Sequence, residues 1–281
     1  MLITILNKSL EAKINTKGAE LVSLSKESFN YIWEIDEKFW NKTSPVLFPI
    51  VGSLKNNKYS IDGNKYSLNR HGFARDLEFE LLEHEEDFAL FCLKSNDETL
   101  KNYPFDFELQ IKYELKANEL DVTYKIINNS DIKMPFNIGA HPAFKIDYNI
   151  FDYCLEFNVL ESFKNHKLRD GLFAEEIEIV KSKDNIIFLS EKLFENDALV
   201  FKNINSNSIK LKYFEKDYLI ISFYNFPHVG IWKKPKAPFL CIEPWTGYTD
   251  SINSNGKIFD KESIQILNPK CFFECKIKIE V

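Results

Sequence analysis

Phe105-Asp106-Phe107-Glu108-Leu109-Gln110-Ile111-Lys112-Tyr113-Glu114-Leu115-Lys116 places an apolar side chain at every odd position and a polar one at every even position. Successive side chains of a strand point to opposite faces of a sheet, so this strict period of two describes a strand with one dry and one wet face. The turn Ala117-Asn118-Glu119 leads into a second alternating run, with Leu120, Val122, Tyr124 and Ile126 apolar and Asp121, Thr123 and Lys125 polar. The two runs are predicted to pair antiparallel as a half-buried hairpin.

The same grammar extends outward from this hairpin. Asn128-Asn129-Ser130-Asp131 breaks the second strand, and the chain resumes in a different register at Met134. Ile61-Asp62-Gly63-Asn64-Lys65 carries an Asp-Gly hairpin turn. Phe273, Cys275, Ile277, Ile279 and Val281 alternate with charged residues, so the C-terminus reads as a sheet strand. Helical patterns are short, the best lying over 190–195, and Lys55-Asn56-Asn57-Lys58 reads as a solvated turn. No repeat of 20 to 50 residues and no Pro/Gly/Ser-rich linker divides the chain. These features predict an all-β fold, a large antiparallel β-sandwich formed by residues 1–281 as a single domain.

Composition agrees and excludes several function classes. The 281 residues are 44% hydrophobic and include 25 phenylalanines, enough for a substantial core. A net charge of −6 argues against sequence-independent nucleic-acid binding, which needs basic residues to neutralise phosphates, and against an anionic membrane surface. No run approaches the length of a membrane span and no signal peptide is visible, which predicts a cytoplasmic address. Cys92, Cys154, Cys241, Cys271 and Cys275 contain no CxxC pair and are odd in number, as expected of reduced thiols. His84, His166 and His228 lack ligand-like spacing and read as structural or surface residues; neither metal nor cofactor is expected.

Three segments carry chemistry. In Asn137-Ile138-Gly139-Ala140-His141-Pro142-Ala143-Phe144 a histidine sits between a glycine and a proline. Pro142 keeps His141 out of the α region and Gly139 permits close approach to the backbone, which fits a reachable rim position. A histidine that only closes a loop hydrogen bond is the alternative. In Arg70-His71-Gly72-Phe73-Ala74-Arg75 two of the three arginines among 36 basic residues flank one histidine. That retention points to a need for the planar guanidinium fork, with surface pairing to Asp76 or Glu78 as the alternative. In Cys241-Ile242-Glu243-Pro244-Trp245-Thr246-Gly247 a lone carboxylate lies among apolar and aromatic residues, so it is either paired or working. Trp245 shares a strand face with Glu243, and an indole wall beside a carboxylate suits a sugar, whose ring has an apolar face and a polar rim. A strand-end glutamate tied to a lysine is the alternative here.

With these segments in place the chain resembles the aldose 1-epimerase (galactose mutarotase-like) superfamily, and within it the LacX-like branch. The likeness runs from Trp40 through the 45–52 stretch PVLFPIVG, then RHGFARD, NIGAHPAF, Asn196-Asp197-Ala198-Leu199, FPHVGIW and CIEPW, in that order over nearly the whole chain. The resemblance implies the supersandwich of mutarotases, with a site in a cleft across one sheet. It also implies interconversion of α and β aldose anomers by two proton transfers. His141 would be the general acid on the ring oxygen and Glu243 the general base on the anomeric hydroxyl, the histidine having a pKa near neutrality and the carboxylate a lower one. His71 would bind the sugar and help hold charge on the ring oxygen. Asp197 would accept bonds from sugar hydroxyls, and Arg70, Arg75, Lys42 and Trp245 complete the expected binding set.

Two positions depart from the pattern. Lys42 stands where the branch often has arginine, and Ser53 follows Gly52 where arginine is common, which thins the basic lining of the pocket. Arg70 and Arg75 could still recognise a phosphate, so a hexose 6-phosphate stays beside a free aldose as substrate. A non-catalytic carbohydrate-binding or sensing protein is the rival from another class. A glycoside hydrolase is disfavoured because only Glu243 sits in a convincing setting and two facing carboxylates are typically needed.

Overall fold

The computed structural model describes residues 1–281 apart from Tyr148 and Glu215. Two large sheets dominate. The nine-stranded sheet runs, in spatial order, Ile186–Phe188, Tyr153–Phe157, Ser208–Tyr213, Lys216–Tyr224, Phe272–Glu280, Glu119–Asn128, Phe107–Lys116, Phe88–Lys94 and Glu80–His84. The expected hairpin is at its heart: Leu109 opposes Ile126 and Leu115 opposes Leu120 in an antiparallel register. Glu119–Asn128 then pairs with the C-terminal strand Phe272–Glu280, Leu120 facing Ile279 and Val122 facing Ile277. Alternation in these strands decides which face is dry.

An eight-stranded sheet carries the chemistry-bearing segments. Its order is Leu172–Ile179, Lys164–Arg169, Leu199–Phe201, His228–Trp232, Phe239–Trp245, Gly139–Ala140 and Val46–Leu47, with Ala143–Lys145 also paired to Phe239–Trp245. Leu240 and Ile242 of the central strand, with Val229 and Ile231 beside them, join Leu109, Ile111, Val122 and Ile277 in the main core. Buried aliphatics from both sheets thus form one contiguous apolar layer, as expected of a sandwich. Phe239, Cys241, Glu243 and Trp245 point to the opposite face by the period of two. That second face is covered too, so all seven residues of Phe239–Trp245 are buried. An N-terminal four-stranded sheet, Leu2–Leu6, Leu10–Asn15, Glu20–Lys26 and Phe29–Asn30, extends the architecture.

Local turns follow the sequence in some places and depart from it in others. Lys58–Ile61 and Asn64–Ser67 form the hairpin at Asp62-Gly63, whose φ angles of 49° and 85° are the left-handed pair such a turn requires. Around Ser190 to Glu195 there is a 3-10 turn, Glu191–Phe194, rather than an α-helix. The α-helix is Asp97–Asn102, where the Asn96 side chain accepts from the Glu98 and Thr99 amides and Thr99 Oγ1 accepts from the Asn96 amide. This reciprocal cap supplies what a six-residue segment lacks in periodicity, which is why an apolar-pattern reading passes over it.

Candidate active site

Strand register builds the centre of the site. Gly139 opposes Trp245 and Ala143 opposes Cys241, so the residues between them, His141 and Glu243, fall directly across from one another. Pro142 has no N–H to give to the ladder, and His141-Pro142 forms the gap between two short strands that share one partner. The consequence is a cross-strand pair on the face away from the main core. His141 Nε2 lies 3.2 Å from Glu243 Oε2, with the histidine 8% and the glutamate 2% exposed.

His71 enters from a separate loop and its backbone is shaped for it. Its φ is +71°, and Gly72 follows at +72°, where a methyl group would lie 2.1 Å from the Phe48 carbonyl oxygen. The His71 amide donates to Gly52 O at 2.8 Å and the Gly52 amide donates to His71 Nδ1 at 3.1 Å. Arg70 Nε donates to His71 Nε2 at 3.1 Å, so N–H groups are aimed at both nitrogens of this ring, of which a neutral imidazole can accept at only one. The His71 and His141 rings stand edge to face with centroids 5.9 Å apart.

A cavity of about 470 Å³ opens over this cluster, a size suited to a small ligand. Arg70, His71, Arg75, His141, Asp197, Glu243 and Trp245 all line it. Lys42 does not line it: its ammonium sits 3.3 Å from Asp76, 3.9 Å from Glu20 and donates to Arg75 O at 3.2 Å. Glu20 is itself buried and takes the Thr43 and Ser44 amides, so this corner anchors the loop that carries Trp40. Asp197 has a φ of +123°, a region essentially reserved for glycine, and its Oδ1 accepts the Ala198 amide at 2.8 Å. Such strain at a pocket wall persists only where the surroundings impose it.

The aromatic wall comes largely from residues that sequence reasoning did not place in the site. Trp40 stacks on His141 with centroids 4.9 Å apart and planes 29° from parallel, and Trp232 meets the same ring edge-on at 5.8 Å. Phe39, Phe173 and Tyr248 add to the lining. Trp40 and Trp232 stood inside the matched stretches, yet nothing in their own neighbourhoods marks them as facing His141. Trp245, expected as the wall, is 7% exposed and forms the floor.

Electrostatics reverse the expected ordering of the acid and base. Burial pushes the His141 imidazole down to about 3, helped by the positive charges of Arg70 and Arg75. His71 is likewise held well below 6.5 by burial, then by Arg70, His141 and Arg75. Burial raises the Glu243 carboxyl well above 4.5, opposed by Arg70 and reinforced by Asp197. Both groups favour their neutral forms, because desolvation penalises each charge. A carboxylic acid beside a neutral imidazole holds the same number of protons as a carboxylate beside an imidazolium. One proton moved across 3.2 Å converts one form of the pair into the other.

Cys241 brings a third side chain to this pair. His141, Cys241 and Glu243 each offer an atom within 4.8 Å of the other two, the only such three-residue group found among the described residues. Sequence spacing gave no hint of it, since register rather than local order unites them. Burial and the neighbouring Glu243 charge hold the Cys241 thiol well above 9.0, so it faces the site protonated. The other histidines stay apart from the cavity: His84 Nε2 meets Thr4 O, and His228 is tied to Ser263 Oγ and the Asn203 amide.

A sheet-borne histidine and carboxylate under an aromatic, sugar-sized cleft define a carbohydrate isomerase of the β-sandwich class. The chain belongs to the aldose 1-epimerase family, whose sequence profile matches residues 1–274. It is 32% identical to the chromosomal protein LacX of Lactococcus lactis subsp. lactis, over 96% of this chain and 95% of that one. Among solved structures, a galactose mutarotase related enzyme from Lactobacillus acidophilus superposes with a TM-score of 0.93 at 32% identity, covering 100% of this chain and 97% of the other. A galactose mutarotase-like protein from Lactobacillus casei ATCC 334 gives 0.93 at 29% identity, covering 100% and 99%.

Proposed function

We propose that this protein interconverts the α and β anomers of an aldohexose, with His141 and Glu243 as the proton-transferring pair. The observation that carries the reading is their 3.2 Å contact across two strands at the base of the cavity. Ring opening needs a proton on the ring oxygen while another leaves the anomeric hydroxyl, and both oxygens are bonded to C1. An acid and a base must therefore sit side by side. In the catalytic state His141 carries the proton to the ring oxygen and Glu243 takes the one from the anomeric hydroxyl; rotation about C1–C2 and closure with the roles reversed gives the other anomer.

The surrounding residues take supporting roles in this proposal. His71 binds the sugar and, with the Arg70 guanidinium beside it, helps hold charge developing on the ring oxygen. Asp197 accepts from sugar hydroxyls, and Trp40 and Trp232 keep water from the histidine and offer apolar faces to the ring. Arg70 and Arg75 at the cavity wall favour a second reading in which the aldose carries a phosphate. Residues 1–281 act as one unit in this scheme. The proposed address is the cytoplasm, where the thiols of Cys92, Cys241, Cys271 and Cys275 would stay reduced.

Polarimetry or NMR on freshly dissolved α-D-glucose, α-D-galactose and their 6-phosphates tests the reading. Equilibration of at least one of them faster than the buffer blank is expected, with strong slowing in His141→Asn and in Glu243→Gln. Binding of a sugar without acceleration would favour a sensor instead.

A further inference from the structure

Trp245 lies on the same strand face as Glu243, two residues along, and both neighbouring strands are cut away to receive it. A methyl group at Gly230 would lie 2.2 Å from the indole Cη2 and 2.4 Å from Cζ2, and one at Gly139 would lie 2.7 Å from Cδ1. Gly230 is the cross-strand partner of Glu243, and Gly139 is the partner of Trp245 on the other side. With Cζ3 3.0 Å away as well, Gly230 receives the far end of the six-membered ring, while Gly139 receives Cδ1, the carbon bonded to the ring nitrogen. The indole is therefore bedded between two glycines, one at each end. A side chain at either glycine position would evict it.

The indole nitrogen is buried and its N–H makes no hydrogen bond of good geometry, yet it lies near enough to the Glu243 carboxyl to favour that group's charged form. A buried donor without a good hydrogen bond carries a cost on the order of 1–3 kcal/mol, which a well-placed acceptor recovers. Glu243 is the acceptor at hand: its carboxyl is 2% exposed, and the indole N–H opposes the burial that raises it. When Glu243 is a neutral acid the N–H has little to bind. Once Glu243 gives up its proton, the carboxylate becomes a strong acceptor beside a waiting donor.

We propose that Trp245 is a positioning residue for Glu243, its indole held between Gly139 and Gly230 so that the N–H receives the carboxylate form and orients it for proton abstraction. This role differs from that of a sugar-stacking wall. It deepens the epimerase reading and rests on it for the word abstraction, but the coupling between Trp245 and Glu243 is a property of the protein alone. The N–H favours the charged form, so its loss moves the Glu243 titration upward.

The test uses Trp245→Phe, which keeps an aromatic ring in the bed and removes the donor, beside wild type and Glu243→Gln. Difference infrared spectroscopy against pH identifies the protonated Glu243 carbonyl band as the one missing in Glu243→Gln. Its midpoint is expected to rise by about one pH unit in Trp245→Phe. The acid limb of kcat/KM moves up by the same amount, and activity recovers when the assay is run above that limb. An unmoved band midpoint overturns the proposal, as does a loss of activity that is flat across pH, since mere packing damage gives that. A shifted band in a protein that epimerises no sugar keeps the coupling and removes the epimerase reading, so the two fail separately.

Discussion

His141 and Glu243 occupy opposing positions of two antiparallel strands, with Nε2 and Oε2 3.2 Å apart in a setting that neutralises both. The pair therefore titrates as a unit, and its apparent pKa values belong to both residues together. A sugar hydroxyl and ring oxygen placed over it would replace the missing solvation and favour the charged arrangement.

Replacing either member is expected to lower kcat for anomer exchange by about 10²- to 10⁴-fold, the usual worth of a positioned proton-transfer group. The double variant His141→Asn/Glu243→Gln should be little worse than the poorer single one, because the two act on one step. Polarimetric rates of the three variants check this. Multiplicative losses would mean that the residues work independently.

Glu243→Gln is also expected to stabilise the fold at neutral pH. The folded carboxyl titrates above its unfolded value, so the folded chain binds the proton more tightly and the cost of ionisation grows as pH rises beyond 4.5. Each kcal/mol recovered should appear as a rise of about 2–4 °C in the unfolding midpoint. Calorimetry at pH 7 and at pH 4 should show the gain at the first and its disappearance at the second.

His228 gives the opposite dependence. Burial lowers it to about 4, while in the unfolded chain it titrates near 6.5. Below 6.5 the unfolded chain takes up a proton that the folded one refuses, so stability falls as pH drops from 6.5 toward 4. About 2 kcal/mol of loss between pH 7 and pH 5 is expected from this residue. Urea titrations of wild type and His228→Gln should differ in pH slope by that amount.

Gly230→Ala is expected to destabilise by about 1–3 kcal/mol, since the added methyl would lie 2.2 Å from the Trp245 indole and force it from its place. Gly63→Ala, in open space on a surface hairpin, carries only the strain of its φ of +85° and leaves activity unchanged. Parallel unfolding and activity measurements on the two separate eviction of Trp245 from a general intolerance of glycine replacement.

The two hairpins at Phe105 to Ile126 and at Ile61 to Lys65 were legible because their information is local: side-chain alternation and a turn dipeptide suffice. The short helix Asp97–Asn102 escaped because its stability lies in one cap rather than in a repeating face. At the site, His71, His141 and Glu243 could be nominated from unusual neighbours in sequence, and Trp40 and Trp232 could not. Their aromatic rings meet His141 from two different segments, and nothing within either segment encodes that meeting. Lys42 shows the converse, a residue suggested by motif position whose charge is spent on Asp76 and Glu20.

By itself the sequence determined that this chain is a β protein with antiparallel strands, and it supplied the ordered motifs that tie it to the aldose 1-epimerases. That His141 stands opposite Glu243, that Trp245 lies between two glycines, and that both titratable groups favour their neutral forms came from the folded sheets alone. Alternation and turn chemistry act between residues a few positions apart and can be read along a line. Register, burial and the desolvation of charge depend on which distant segments are brought together, and those quantities exist only once the sheet has formed.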